Sequence, residues 1–468
     1  MVNLPALPGI RALEEDLIAR RSPAQSSVNA FANTPASGLF ACTQPATVPC
    51  PPLGARAIAA ITLGSGLEFY DFCVYSFFAT LIGRLFFPVE TAQGQLLLAL
   101  ATFGVGFGMR PVGGLVLGAY ADRVGRKPAM LLTLWLMALA SLVFALTPTY
   151  AQIGIAAPLI MVLARLVQGF AIGGAVGTST TLLLEYADNG NRGFYGSWQV
   201  FSQGLSFLLG AMMALLLSAS LSPEALQSWG WRLPFVLGLL VIPVSTYMRR
   251  HLKETVAESA RGRQPALSLR LMLTHYRQRI FSGALLVIGG TASSYIVLDY
   301  LTNYSVTVLH LPISTGMAAV CLAVLVQIGL AVRVGRLSDR IGRRRTIALG
   351  CVPMLLLIYP IFMLMNHLPT LTTLVLVSVL ATLPVVLMTV PTLVLVAELF
   401  PRAIRATGLS LVYCLGVSVF GGFAQFFATG LIGLTGNNNA PALYVMVCLC
   451  CTLAGLALVK ETAGQPLD

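Results

Sequence analysis

Apolar residues in this chain gather into runs too long for strands and too continuous for the one-sided helices of a water-soluble domain, with a short polar stretch between successive runs. Runs that reach the ~20 residues a membrane-spanning helix needs fall at 57–86, 94–121, 128–147, 154–186, 194–221 and 231–249. A second set falls at 280–308, 312–335, 346–365, 369–397, 404–432 and 441–459. The pattern predicts an all-α membrane protein of about twelve transmembrane helices, with one six-helix bundle over 56–250 and another over 280–460. The segment 251–279 is the only long polar stretch of the interior; it is basic and carries Glu254 and Glu258. It reads as a cytoplasmic linker, either an ordinary one or a hinge or surface-lying amphipathic helix. Residues 1–55 mix Arg20, Arg21 and Glu14-Glu15-Asp16 with Pro and Ser and lack an apolar signal-peptide core, which predicts a flexible tail. Residues 461–468 read as a second tail.

The polar interruptions repeat. Gly118-Ala119-Tyr120-Ala121-Asp122-Arg123-Val124-Gly125-Arg126-Lys127 returns as Gly335-Arg336-Leu337-Ser338-Asp339-Arg340-Ile341-Gly342-Arg343-Arg344, each string trailing an apolar run. A second pair follows the fourth and tenth runs, Glu185 with Arg192 and Glu398 with Arg405, at the same interval from acid to base. Two motifs recurring in register imply a duplicated chain whose homologous halves move against each other, the organisation of a secondary transporter. Asp122, Arg123, Arg126, Glu185 and Arg192, with Asp339, Arg340, Arg343, Glu398 and Arg405, are therefore candidate gate residues that latch the halves at one face and part when it opens. Their alternative role is to anchor helix ends.

Composition agrees: 57% of residues are hydrophobic and 10% charged, where soluble domains carry about a quarter charged. The net charge of +12 does not point to nucleic acid, because the basic residues crowd into every second loop while the intervening loops show chiefly Glu90, Glu224 and His367. That asymmetry is the positive-inside rule, which places both termini in the cytoplasm and the chain in an inner or plasma membrane. Of nine cysteines, Cys42 and Cys50 lie in the tail and the others within apolar runs, so no disulfide framework is expected. No Lys directly follows a Gly, which excludes a phosphate-binding loop, and the four His residues lack metal-ligand spacing. The chain is expected to need no cofactor or metal, to catalyse no reaction and to run on ion gradients. Gly169, Gly173 and Gly177, and Gly104 with Gly108, have the spacing that lets helices approach closely in lipid.

Charged residues within spans cost about 2.5–3.5 kcal/mol on insertion scales and face a cavity or a partner. The candidates are Glu68, Asp71, Arg110, Arg165 and Asp299, with Glu68 and Asp71 on one helical face. Arg84, Arg232 and Arg333 lie close enough to span ends to snorkel. Gln199, Gln203 and Ser206 line up on the fifth span, and Tyr295, Asp299 and Asn303 on the seventh, as a water-filled cavity would require. A guanidinium suits a carboxylate-bearing substrate, and Arg110 is the first candidate for that contact; otherwise it pairs with Glu68 or caps carbonyls.

The paired G-x-x-x-D-R-x-G-R-[RK] strings resemble the hallmark of the major facilitator superfamily. Gly66-Leu67-Glu68-Phe69-Tyr70-Asp71-Phe72, Met109-Arg110-Pro111-Val112-Gly113-Gly114, Ala164-Arg165-Leu166-Val167-Gln168-Gly169-Phe170 and Trp229-Gly230-Trp231-Arg232-Leu233-Pro234-Phe235 narrow this. Together they resemble the metabolite-proton symporters, carriers of citrate, tricarballylate, 2-oxoglutarate, shikimate and proline or betaine. The stretch Arg192-Gly193-Phe194-Tyr195-Gly196-Ser197-Trp198-Gln199 with Gln203 looks most like the citrate and tricarballylate branch. The resemblance implies inward symport of a small organic acid with a proton through alternating access, and a monomer is the expected working unit. Asp71 and Arg165 would be the proton-coupling pair, with Glu68 beside them; Arg110, Gln199, Gln203, Tyr295, Asp299 and Asn303 would meet the substrate. The same family also implies a zwitterionic osmolyte as an alternative cargo, and a non-transporting membrane sensor is the reading from another class. Three departures stand out: Ala175 where the family carries an acid, Gln425 where it carries proline, and Asp299 where it carries a neutral residue.

Overall fold

Lipid cannot satisfy a backbone N–H or C=O, so each long apolar run closes its hydrogen bonds internally as a helix. The computed structural model describes residues 54–89, 92–252, 254 and 274–466; the expectations for the N-terminal tail, for Glu90 and for most of the linker lie outside them. The first bundle holds α1 (Ala55–Phe77, followed by a short helix Ala79–Phe86), α2 (Ala92–Val124), α3 (Arg126–Leu146), α4 (Ala156–Glu185), α5 (Arg192–Ser220) and a broken α6. The break in α6 separates Leu233–Gly238 from Val241–His251; Pro243 follows it and has no N–H to return to residue 239. The second bundle holds α7 (Arg277–Thr307), α8 (Ile313–Ile341), α9 (Arg343–His367), α10 (Leu371–Glu398), α11 (Arg402–Thr435) and α12 (Ala440–Leu458). Eleven of these are long and apolar enough to cross a membrane. The twelfth, α2, runs 33 residues and packs along α4.

Each bundle has its own core. Tyr75, Phe86, Phe144, Trp231 and Phe235 fill the first, and Tyr304, Met354, Ile358, Phe362 and Leu449 the second. Val176 and Val200 meet Val334, Val386, Val390 and Leu393 across the seam between them. Leu146, Leu356 and Phe426 stand exposed on the outer surface, as lipid-facing positions should. Within a membrane, helices associate through close packing rather than exclusion from water, and α2 and α4 touch backbone to backbone: a Cβ on Gly169 would overlap the Gly106 carbonyl oxygen, and one on Gly173 that of Arg110. Gly104 and Gly108, by contrast, face open space.

Helical regularity breaks at two kinds of position. Gly125 and Gly342, the loop-motif glycines, turn the chain between α2 and α3 and between α8 and α9 at φ of 132° and 100°, a region that disfavours every residue with a Cβ. The second bundle also carries two π-helical turns, Tyr295–Tyr300 in α7 and Val417–Gly421 in α11, a distortion frequent at functional sites. They face each other: a Cβ on Gly421 would sit 2.7 Å from the Tyr295 ring.

Candidate functional site

Polar groups converge where the bundles meet. Arg110 of α2 is 2% exposed, and its guanidinium stacks over the rings of Phe107 and Phe72, at 4.0 and 4.4 Å from their centroids. Such stacking stabilises a desolvated cation without consuming its hydrogen bonds, and Nε and Nη2 of Arg110 have no hydrogen-bond partner. The alternative in which Arg110 pairs with Glu68 does not hold in this conformation, because Glu68 is directed at Thr133 of α3. Tyr295, on the α7 π turn, reaches Arg110 with its hydroxyl. Tyr413 of α11 faces Arg110 as well and hydrogen-bonds Gln203 of α5. Gln199 accepts from Ser179 Oγ at 2.9 Å, and the Nε2 groups of both glutamines are buried without partners. The cluster thus presents unpartnered donors from Arg110, Gln199 and Gln203 with no carboxylate paired to the guanidinium.

Asp299 is half-buried on the same π turn and interacts electrostatically with Tyr295 and with Cys73 of α1. One turn on, Asn303 donates to Gln425 of α11 at 3.0 Å. Two of the three departures from the family pattern, Asp299 and Gln425, therefore share the α7–α11 face. Tyr413 went unnoticed in the sequence because an isolated tyrosine in an apolar run carries no spacing signal.

A second group lies inside the first bundle. Glu68 and Asp71 are each 1% exposed, and Asp71 accepts a hydrogen bond from Ser141 of α3. Arg165 of α4 does not form an ion pair with Asp71 here. Its guanidinium lies 3.8 Å from the Tyr75 ring centroid and 4.9 Å from those of Phe72 and Phe103, donating to Gln168 Oε1 at 2.6 Å and to the Phe72 carbonyl at 3.4 Å. The aromatic cage outcompetes the carboxylate because it surrounds the cation in this packing. Phe72 touches both Arg110 and Arg165, and so joins this group to the cluster between the bundles.

The charged loops close one end of the molecule. Asp122 accepts from the N–H groups of Ala406 and Thr407 at 3.1 and 2.9 Å, across the bundle boundary. Asp339 accepts from Gly193 and Phe194 at 2.7 and 2.9 Å, also across it. Each acid thereby caps the N-terminal turn of a helix in the opposite bundle, where free N–H groups and the helix dipole favour negative charge. Arg126 pairs with Asp122 at 2.8 Å and with Glu185 at 3.1 Å, and Arg343 with Asp339 at 2.7 Å and with Glu398 at 3.4 Å. Arg192 reaches Glu398 at 3.3 Å and Arg402 reaches Glu185 at 3.7 Å, both between bundles, while Arg405 donates to the Phe400 carbonyl at 3.2 Å. Arg123 and Arg340 stand apart. Both are exposed, because the residue after each motif acid points off the helix end into solvent, so the gate reading does not extend to them in this conformation.

Two further carboxylates complete the pattern. Glu254 accepts from the Arg126 and Lys127 N–H groups, both at 3.0 Å, and Glu461 from those of Arg343 and Arg344 at 2.9 and 3.0 Å, capping α3 and α9. The sequence signal for them is a Lys-Glu-Thr triplet at 253–255 that returns at 460–462. Residues 461–466 do not leave the surface: Arg192 donates to the Gln465 carbonyl at 2.8 Å, and the Thr462 hydroxyl to Glu398. Burial works against ionisation of Glu461, yet N–H donors from Arg343, Ala463, Arg344 and Thr462 outweigh it and hold the carboxyl below the ordinary range.

Two pseudo-equivalent bundles of membrane-spanning helices, closed across one end by reciprocal caps and ion pairs around a polar centre, define a membrane transporter. The chain belongs to the Major Facilitator Superfamily, whose sequence model matches residues 67–425. It is 36% identical to a citrate-proton symporter of Salmonella typhi over 86% of this chain and 93% of that protein. It is 34% identical to the alpha-ketoglutarate permease of Escherichia coli (88% and 95% covered) and 32% identical to the proline/betaine transporter of that organism (88% and 84%). In fold it is similar to the proton:xylose symporter XylE, with a TM-score of 0.73 at 17% identity over 88% of this chain and 97% of that one.

Proposed function

We propose that the protein is a proton-coupled symporter that imports a small organic acid, a di- or tricarboxylate such as citrate, by alternating access. The charged end is then the cytoplasmic one, as the basic loops require, with both termini on that side of the inner membrane and the monomer as the working unit. The observation that carries the substrate class is the buried Arg110 guanidinium, held by aromatic rings with Nε and Nη2 unpartnered. A buried donor without an acceptor is costly, and a carboxylate would satisfy two of its N–H groups at once. Gln199 and Gln203 add donors for further carboxyl oxygens. The second reading, a zwitterionic osmolyte, draws on Asp299, which would meet a cationic group.

Uptake into proteoliposomes, with and without an inward proton gradient, tests this with citrate, tricarballylate, 2-oxoglutarate, proline and betaine as cargo. Gradient-stimulated citrate uptake is expected, and Arg110→Gln should weaken it at least tenfold at limiting substrate, the worth of one hydrogen bond to a charged group. Uptake of betaine or proline with indifference to all three acids overturns the organic-acid reading.

A further inference from the structure

The segment that follows α12 builds a small structure of its own on the charged end. After Glu461, which caps α9, Thr462-Ala463-Gly464-Gln465 forms a β-turn: the Gln465 N–H donates to the Thr462 carbonyl at 3.2 Å, and Gly464 takes a φ of 74°. A positive φ at the third residue alone is the type II turn, and glycine adopts it without strain. Pro466 comes next in the sequence. It confines Gln465 to extended backbone and so fixes the direction of the Gln465 carbonyl.

That carbonyl meets Arg192. Nη1 of Arg192 donates to it at 2.8 Å and to Glu398 Oε1 at 3.3 Å, while the Thr462 hydroxyl donates to the other oxygen of Glu398. Arg192 opens α5 of the first bundle and Glu398 ends α10 of the second. The turn therefore touches both partners of an ion pair that joins the bundles, and their side chains are only 1% and 2% exposed. A pair kept from water attracts more strongly than a hydrated one and is less screened by salt. When the bundles part at this end, Arg192 must leave the Gln465 carbonyl as well as Glu398, so the turn adds its own bond to the work of opening.

We infer that residues 462–465 are a strap between the bundles that restrains opening of the charged end, attached through the Thr462 hydroxyl and the Gln465 carbonyl and shaped by Gly464. This rests on the alternating-access reading and adds a regulatory element to it. None of the four residues belongs to the duplicated loop motifs, and the hold on Arg192 runs through a backbone carbonyl, so no side-chain pattern marks it in the sequence. Gly464 is the place to release the strap without disturbing the gate. A Cβ there meets nothing within 4 Å, so a substitution acts through backbone preference alone.

Cys414 of α11 reports the opening. It is 1% exposed, its Sγ lies 3.3 Å from the Gly173 carbonyl of α4 in the first bundle, and it sits about two helical turns in from Thr407 at the charged end. A maleimide reaches it when the bundles part, so its alkylation rate in the purified full chain, read by mass spectrometry of its peptide, follows the open fraction even where that fraction is small. Gly464→Val places a β-branched residue at a positive φ and should speed alkylation about two- to tenfold, the range of one net hydrogen bond. Gly464→Asn, a residue that tolerates this backbone region, should react at close to the wild-type rate. Equal rates in wild type and Gly464→Val, or equal acceleration by Gly464→Asn and Gly464→Val, overturn the strap. Acceleration confined to Gly464→Val in a protein that carries no organic acid supports the strap and overturns the substrate reading alone; organic-acid uptake with alkylation unmoved overturns the strap alone.

Discussion

Replacing Asp122 by Asn tests the closed end most directly. The Asp122 carboxylate accepts three hydrogen bonds across the bundle boundary, from Ala406 N–H at 3.1 Å, Thr407 N–H at 2.9 Å and the Thr407 hydroxyl at 2.5 Å. Asparagine keeps one acceptor oxygen and turns an amide donor towards the remaining N–H groups. Arg126 loses its 2.8 Å partner but keeps Glu185, so the damage concentrates on the cross-bundle contacts. One hydrogen bond to a charged acceptor is worth about 1.5–3 kcal/mol and a neutral one about half that. Losing one and neutralising the other two should cost the closed conformation about 3–6 kcal/mol, a fall of about 150-fold or more in the ratio of closed to open. Asp339→Asn gives up two cross-bundle donors rather than three and should shift the ratio less. Arg123 and Arg340 are exposed, one on each bundle, which makes them sites for paired spin labels in a background without reactive native thiols. The distance distribution should gain a longer component in Asp122→Asn and a smaller one in Asp339→Asn, while substrate affinity measured at equilibrium changes little. An unchanged distribution, or a larger shift for Asp339→Asn than for Asp122→Asn, would refute the argument from donor number.

Glu461→Gln should destabilise the purified protein by about 1 kcal/mol at neutral pH, the worth of a helix cap, as read by thermal unfolding in detergent. Because the folded carboxyl lies below its ordinary range, its stabilisation is complete above that range and is lost only as pH falls through the lowered value. The difference between wild type and variant should therefore be complete above the ordinary glutamate value of 4.5 and be lost only below it; a difference that disappears already near neutrality would contradict the cap. Asp299→Thr, which removes a carboxylate from the α7–α11 face, should favour citrate over betaine several-fold relative to wild type in competition uptake. Equal preference in both proteins across pH would mark Asp299 as a bystander.

The number of spans, their division into two sets and the charged loops were legible because lipid imposes a simple rule: every span must be a long apolar helix, and charge is tolerated at its ends. The duplicated motifs likewise exposed Asp122, Asp339, Arg126, Arg343, Glu185 and Glu398, since homologous halves repeat in register whatever their packing. What the chain alone left open was direction. Glu68 and Asp71 share a helical face by spacing, but only the packing of α3 against α1 turns that face into the first bundle rather than towards the polar cluster between the bundles. Arg165 and Asp71 are both buried, yet the ring of Tyr75, Phe72 and Phe103 claims the guanidinium, an outcome no local pattern encodes. Arg123 and Arg126 are three residues apart in one motif, and one ends in solvent while the other sits at the centre of an ion network. Covalent order and helical period decide which residues carry charge and which helix they ride on. Which partner each charge meets depends on the rotation and approach of neighbouring helices, set by contacts such as the backbone touch at Gly169 and Gly173 that form between residues far apart in the chain.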